Sequence, residues 1–264
     1  MNWFILVIGL AGALLALVLS LVVVSFPSVP PTATIGLTTT SEPFPSTAMK
    51  PVYDDVQNGG LAITQAGGVA TYGAAANWQY SRSENIWSTP SGCVNLTIGQ
   101  HVTYSFDMKP QLGSTGYSVW QTVSQLQGPT TNGTWPGPPV ALVVESGQWR
   151  IEGGYAVPNG NGGFRHDLGY TIPLSKVKAG TWQHWAFDVL LGGPGTGTVT
   201  VWLDGARRIN TFHPAAGTMF TVGSGYSTSY LQLKTGQYTG ADNSADTPTW
   251  QRTVQVKNVK SAIT

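Results

Sequence analysis

Charge is scarce in this sequence. Of its 264 residues only 9% are Asp, Glu, Lys or Arg, and the formal net charge is +1. No basic run occurs, which argues against nucleic acid as a partner, because that binding needs clustered Lys and Arg. Little charge beside ten Trp and ten Tyr also argues against a disordered chain, since such chains are charge-rich and aromatic-poor. Cysteine is nearly absent. The single Cys93 cannot close an internal disulfide, so the fold must stand on its core. No metal-ligating or nucleophile-activating partner flanks it at a recognisable spacing, and it reads as a small buried apolar residue. From about Pro51 onward a helical period is missing too.

What the chain does have begins with a long apolar run. Trp3 to Phe26 carries no charge and is mostly Leu, Val, Ile and Ala. As a helix it reaches about 36 Å, enough to cross a bilayer core. No Lys or Arg precedes it, unlike the charged start of a cleaved signal peptide. The expectation is one N-terminal transmembrane helix over residues 1–26, acting as membrane anchor or uncleaved signal. The domain then lies outside the cytoplasm, or is secreted if the segment is removed. Residues 27–50 form a Pro/Ser/Thr-rich linker of extended character. The folded domain is expected over residues 51–264.

In that domain short runs of β-branched and aromatic residues alternate with Gly, Pro, Asn and Asp. Such runs include His101–Met108, Tyr117–Leu126, Val140–Glu145, Trp182–Leu191 and Thr198–Leu203. Spacing of this kind predicts an all-β antiparallel sandwich. Asp204-Gly205 between Thr198–Leu203 and Ala206–Phe212 predicts a two-residue hairpin. A last strand over Val254–Val259 is expected to return beside an early one. Pro129–Pro139 and Pro158–Arg165 are expected to be long loops at the rim of one face.

Three segments place polar side chains at even spacing. Arg82 and Glu84 fall on one side of a strand, as do Gln125 and Gln127, and as do Lys234, Gly236 and Tyr238. A face with Arg, Gln, Lys and Tyr is costly to bury and is expected to be open to a ligand. These three segments, in this order, resemble the motifs of polysaccharide lyases with a concanavalin A-like jelly-roll fold, the group of alginate, glucuronan and heparin lyases. Arg82-Ser83-Glu84 matches the Arg-(Ser/Thr)-Glu motif of the alginate lyases. Lys234-Thr235-Gly236-Gln237-Tyr238 matches their late Lys-x-Gly-x-Tyr. Gln125-Leu126-Gln127 matches the first residue of their Gln-x-His. Trp182-Gln183-His184-Trp185 and Val201-Trp202-Leu203-Asp204-Gly205 look like the heparin lyase side of the group.

The resemblance implies β-elimination at a uronic acid in an acidic polysaccharide. Arg82 and Gln125 would bind or neutralise the carboxylate. Tyr238 would be the general acid. Lys234 would support the substrate or ease loss of the Tyr238 proton through its positive charge. Glu84, Gln127, Gln232, Trp135 and His166 are candidate substrate-binding residues. The match departs from the family where the base belongs, because Gln127 stands in place of His and an amide is no general base. Three readings stay open. Tyr238 serves as both base and acid, or His166 enters the site, or the domain is a non-catalytic, lectin-like jelly roll using the same groove. No cofactor is implied. Asp242 and Asp246, in one loop, are the place for a structural calcium but lack further ligands. The domain is read as a monomer.

Overall fold

The computed structural model describes residues 47–89, 92–93, 95–111, 119–128, 137–158, 164–219, 230–241 and 247–264. For residues 47, 52, 88–89, 92–93, 154–158 and 164–169 only the backbone is described. The expected anchor and most of the linker lie outside these residues, as do Trp135, Asp242, Asp246 and the side chain of Cys93. The described residues contain no helix.

Strands begin at β1 (Thr47–Ala48) and β2 (Lys50–Asn58), followed by β3 (Gly60–Ala66), β4 (Val69–Ala74), β5 (Tyr80–Thr89) and β6 (Gly92–Cys93). The middle of the chain forms β7 (His101–Gln111), β8 (Trp120–Gln127), β9 (Val140–Glu145), β10 (Gln148–Pro158) and β11 (Phe164–Lys176). Then come β12 (Gln183–Leu190), β13 (Thr198–Leu203), β14 (Ala206–Phe212), β15 (Gln232–Gly240) and β16 (Arg252–Ile263). Two sheets result. One runs β14-β13-β12-β7-β16-β4-β3, with β1 beside β16; the other runs β11-β10-β9-β8-β15-β5-β2, with β6 beside β5. The pairings are antiparallel throughout, from the β2–β5 pair to the β16–β7 pair. Neighbours in space that are far apart in sequence, such as β8 and β15, give the sandwich its jelly-roll character.

Alternation explains the core. In β7 the inward residues are Val102, Tyr104, Phe106 and Met108, and all four are buried. Trp185 and Phe187 of β12 share that interior, as their even spacing implies, and their rings stack at 6.2 Å. The opposite sheet contributes Leu126, Leu142, Val144, Trp149 and Ile151. Trp149 satisfies its indole N–H by donating to Gln183 Oε1 at 3.0 Å, so a large ring is buried without an orphaned donor.

Register bears on two expectations for the connections. Asp204 (φ 52°) and Gly205 (φ 76°) turn β13 into β14, as a tight hairpin demands. At the expected loop Pro158–Arg165 the two ends belong to strands, and residues 159–163 lie outside the described residues. Pro158 pairs with Phe164, Val157 with Arg165 and Ala156 with His166. The other expected loop, Pro129–Pro139, falls mainly outside the described residues.

Candidate active site

The site is built on the outward face of the β2–β5–β15–β8 sheet. Register fixes which side chains share that face. Lys234 lies opposite Ile86 of β5 and Gln125 of β8, Gly236 opposite Glu84, and Tyr238 opposite Arg82. On the other flank Asp55 of β2 lies opposite Glu84 and Gln57 opposite Arg82. Arg82, Glu84, Gln125, Lys234 and Tyr238 therefore meet on one face, as their spacing within each strand suggested.

The side chains form one connected network. Arg82 Nη1 contacts Asp55 Oδ2 at 3.0 Å, and its Nε lies 3.5 Å from Glu84 Oε2. Lys234 Nζ lies 3.6 Å from the same Asp55 oxygen. Gln125 Nε2 donates to both Glu84 oxygens, at 2.7 and 3.0 Å. Gln57 also donates to Asp55, at 2.6 Å. The Arg82 guanidinium carbon sits 4.1 Å from the centre of the Tyr238 ring, a cation–π contact that fixes the phenol's plane. Gln127 lies beside this network, opposite Gln232, and Gln232 donates to Asn95 at 3.3 Å.

Openness of this face is narrower than expected. Glu84, Gln125, Gln127 and Lys234 are buried, while Arg82 and Tyr238 are half-buried. Burial is tolerable because the charges are paired and hydrogen-bonded inside the network. Burial works against the Arg82 charge, but Glu84 and Asp55 outweigh it and hold the guanidinium firmly protonated. Burial pushes the Glu84 carboxyl above its ordinary range, although Arg82, Lys234 and the Gln125 bond pull it down. One acceptor is left over: among the described residues the buried amide oxygen of Gln125 meets no hydrogen-bond donor.

Asp55 is the member that sequence reasoning missed. It ties together Arg82, Lys234 and Gln57, and it comes from β2, a strand with no motif of its own. Glu152 is a second unforeseen group on this sheet. It lies opposite Ala141, which itself lies opposite Gln125. Burial, then the nearby Glu145, push Glu152 up to about 7, while Arg150 and Thr171 pull it down. His166, named from the sequence as a possible base, has its backbone on β11 opposite Ala156; its side chain and Trp135 lie outside the described residues. Among those residues no group of His, Cys, Asp and Glu could hold a metal ion.

The Gly of the late motif has a steric explanation. A bulge sets Gly236 and Gln237 between the pairs Thr235–Ser124 and Tyr238–Thr122. Gly236 adopts φ 149° there, and a Cβ on it would fall 2.3 Å from the Ser83 carbonyl oxygen and 2.6 Å from Glu84 Cα. The bulge offsets β15 against β8, whereas its pairing with β5 runs unbroken from Lys234 to Gly240 and keeps Tyr238 opposite Arg82; bulges are common beside active sites.

Known proteins share this architecture. No curated protein matches the chain. The endo-β-1,4-glucuronan lyase of the fungus Trichoderma reesei superposes with a TM-score of 0.61 at 16% identity, over 84% of this chain and 95% of that one. The alginate lyase AlgAT5, of polysaccharide lyase family 7, superposes with a TM-score of 0.50 at 16% identity, over 75% and 79% of the two chains. At such identities these likenesses establish the jelly-roll sandwich as a shared fold. The sequence itself matches the model of the family described as polysaccharide lyase over residues 39–255, and the chain belongs to that family.

Proposed function

We propose that the domain cleaves a uronate-containing polysaccharide by β-elimination, outside the cytoplasm, tethered by the apolar segment Trp3–Phe26. The observation that carries this reading is the convergence of Arg82, Gln125, Lys234 and Tyr238 on one face, held by the carboxylates of Asp55 and Glu84. In the reaction the C5 proton leaves, the C4–O4 bond breaks, a C4–C5 double bond forms, and O4 takes a proton. Tyr238 is the half-buried proton carrier of the face. As phenolate it removes the C5 proton, and as phenol it returns that proton to O4, so the residue ends the cycle as it began. Arg82, stacked on the ring, holds the phenol and places positive charge near the substrate carboxylate, where negative charge develops. Gln125 lies on the same face and holds the Glu84 carboxylate in place through its amide N–H groups.

The test is direct. The fragment starting near Thr47 is incubated with glucuronan, alginate, heparin and hyaluronan, and the absorbance of the unsaturated uronate is followed. Glucuronan is the first polymer to try, given the extent of the fold shared with the fungal glucuronan lyase. Absorbance should rise on at least one acidic glycan, and Tyr238→Phe should abolish the rise with an unchanged melt.

One observation favours a second reading. The position where a family base belongs is Gln127, buried beside Gln125 on the same strand, and an amide takes up no proton near neutral pH. A lectin-like module would bind the glycans without forming the unsaturated product. Retained binding with no absorbance on any polymer would establish that reading and reject the lyase.

A further inference from the structure

Beyond Tyr238 the same face carries a row of aromatic rings that the elimination chemistry does not use. Trp120 of β8 and Tyr80 of β5 both lie opposite Gly240, one from each side. Gly240 contributes no side chain, and both rings occupy the space it leaves. A Cβ there would fall 2.3 Å from Trp120 Cζ2 and 2.7 Å from Tyr80 Cδ1. The Trp120 indole meets the Tyr238 ring edge-on at 5.0 Å and lies 6.4 Å from the Tyr80 ring. Tyr80 is 44% exposed, and Trp120 is half-buried. The row therefore runs from the proton carrier outward to solvent along the floor of the face.

Ordinary packing does not account for all of this. An exposed Tyr beside a half-buried Trp, on the outward face and not in the sandwich core, leaves apolar ring surface in water at a cost. From Tyr238 to Gly240 is two residues along β15, roughly 7 Å of strand rise, which is the scale of a single sugar ring. A pyranose presents C–H groups on its flat face, and these meet an aromatic ring favourably while the hydroxyls remain in water. Charge lies on the Arg82 side of Tyr238 and rings on the Gly240 side, so the two ends of the site read different features of a polymer.

We infer that Trp120 and Tyr80, seated on Gly240, form a stacking subsite for the pyranose ring next to the residue placed at Tyr238. This rests on the reading of the face as a polyuronate site. The subsite recognises the ring and not the carboxylate, so its contribution persists at high salt, whereas that of Arg82 is screened.

The test compares wild type with Trp120→Ala, Trp120→Phe and Tyr80→Ala on oligouronates of increasing length. Both the unsaturated product and calorimetric binding are recorded. Trp120→Ala is expected to raise KM and Kd on the longer oligomers about tenfold, the scale of one lost aromatic contact with its buried area. Trp120→Phe should recover much of that loss, and Tyr80→Ala should show a smaller one. The penalty should shrink on the shortest oligomer, which does not reach the platform, and should survive 0.5 M salt, about a 4–5 Å screening length. Because Trp120 touches Tyr238, Tyr80→Ala carries the decision if Trp120→Ala disturbs the fold. Variants that bind long and short oligomers as wild type does, with turnover intact, overturn the subsite and leave the lyase reading standing. Weakened binding of long oligomers with no turnover in any form supports the subsite and overturns the lyase.

Discussion

Replacing Gly236 with Ala tests whether the close approach of β15 to the β5 backbone is what requires a Gly in the late motif. Two costs can be read from the geometry. At φ 149° an L-residue occupies a region essentially reserved for Gly, which costs about 1–3 kcal/mol. The new methyl also lands 2.3 Å from the Ser83 carbonyl oxygen, and that atom belongs to the neighbouring strand's backbone, so it cannot swing away. Strands β15 and β5 must part locally, at a further cost of roughly 1–3 kcal/mol. A combined loss of about 3 kcal/mol should lower Tm by roughly 6–12 °C in a domain of this size. Turnover should fall as well, since the same contact presses on Glu84 Cα at 2.6 Å and through Glu84 on Gln125 and Arg82. Gly195 provides the control. At φ 78° a Cβ on Gly195 would meet nothing within 4 Å, so Gly195→Ala should cost only the conformational part, about 1 kcal/mol. Thermal melts by circular dichroism and product absorbance read both effects. If Gly236→Ala melts within about two degrees of wild type, as an ordinary surface substitution would, the steric account of the motif's Gly is wrong.

Three carboxylates of this sheet, Glu84, Asp55 and Glu152, give further outcomes. Glu84→Ala leaves the Gln125 amide buried without its acceptor and removes one partner of Arg82, so stability should fall by about 3 kcal/mol; a urea midpoint equal to wild type would refute this. Glu84→Gln, which keeps the shape and an acceptor oxygen, should cost less. Asp55→Asn removes the carboxylate shared by Arg82 and Lys234 and should lower kcat/KM at least about tenfold, the scale of one charge-assisted hydrogen bond; steady-state kinetics on the responsive glycan decide it. Glu152 gives a pH dependence. Its folded-state pKa, about 7, stands above the ordinary 4.5, so the fold holds the proton more tightly than the unfolded chain does. The stabilisation is complete below pH 4.5 and is lost as pH rises through 7. Urea midpoints across that window should fall less steeply for Glu152→Gln than for wild type, and parallel profiles would contradict the assignment.

The sandwich is legible in the sequence because strand alternation and the Asp204-Gly205 turn are local signals. So is the grouping of Arg82, Glu84, Lys234 and Tyr238, since the members of each motif are evenly spaced along one strand. Asp55 is not legible. It acts 27 residues before Arg82 through the pairing of β2 with β5, and strand pairing at a distance leaves no mark in a short window. Trp120 is hidden for another reason. Strict alternation back from Gln125 places Val123 and Gln121 on the outward face and Trp120 inside. A register shift between Thr122 and Ser124 reverses that parity, so Val123 is buried in the core and Trp120 lies outward beside Tyr238. Pro158, Phe164 and Arg165, which pair at the ends of β10 and β11, read as loop because the Gly and Asn residues between them in sequence outweigh the apolar residues that flank them. Burial of the polar face is likewise illegible, since it depends on the compensating carboxylate of Asp55.

The network of Asp55, Arg82, Glu84, Gln125 and Lys234 also dictates when the site comes into being during folding. Its members arrive from β2, β5, β8 and β15, which span residue 55 to residue 234, and each pairing closes a long loop of chain. Such distant closures form slowly, and the last of them, β15 sliding between β5 and β8, unites the two halves of the sheet. A nascent or truncated chain lacking β15 holds two separate strand groups and only part of the constellation. Whatever chemistry this face performs is therefore withheld until nearly the whole domain has emerged and folded, so the appearance of activity would serve as a clock for completion of the fold.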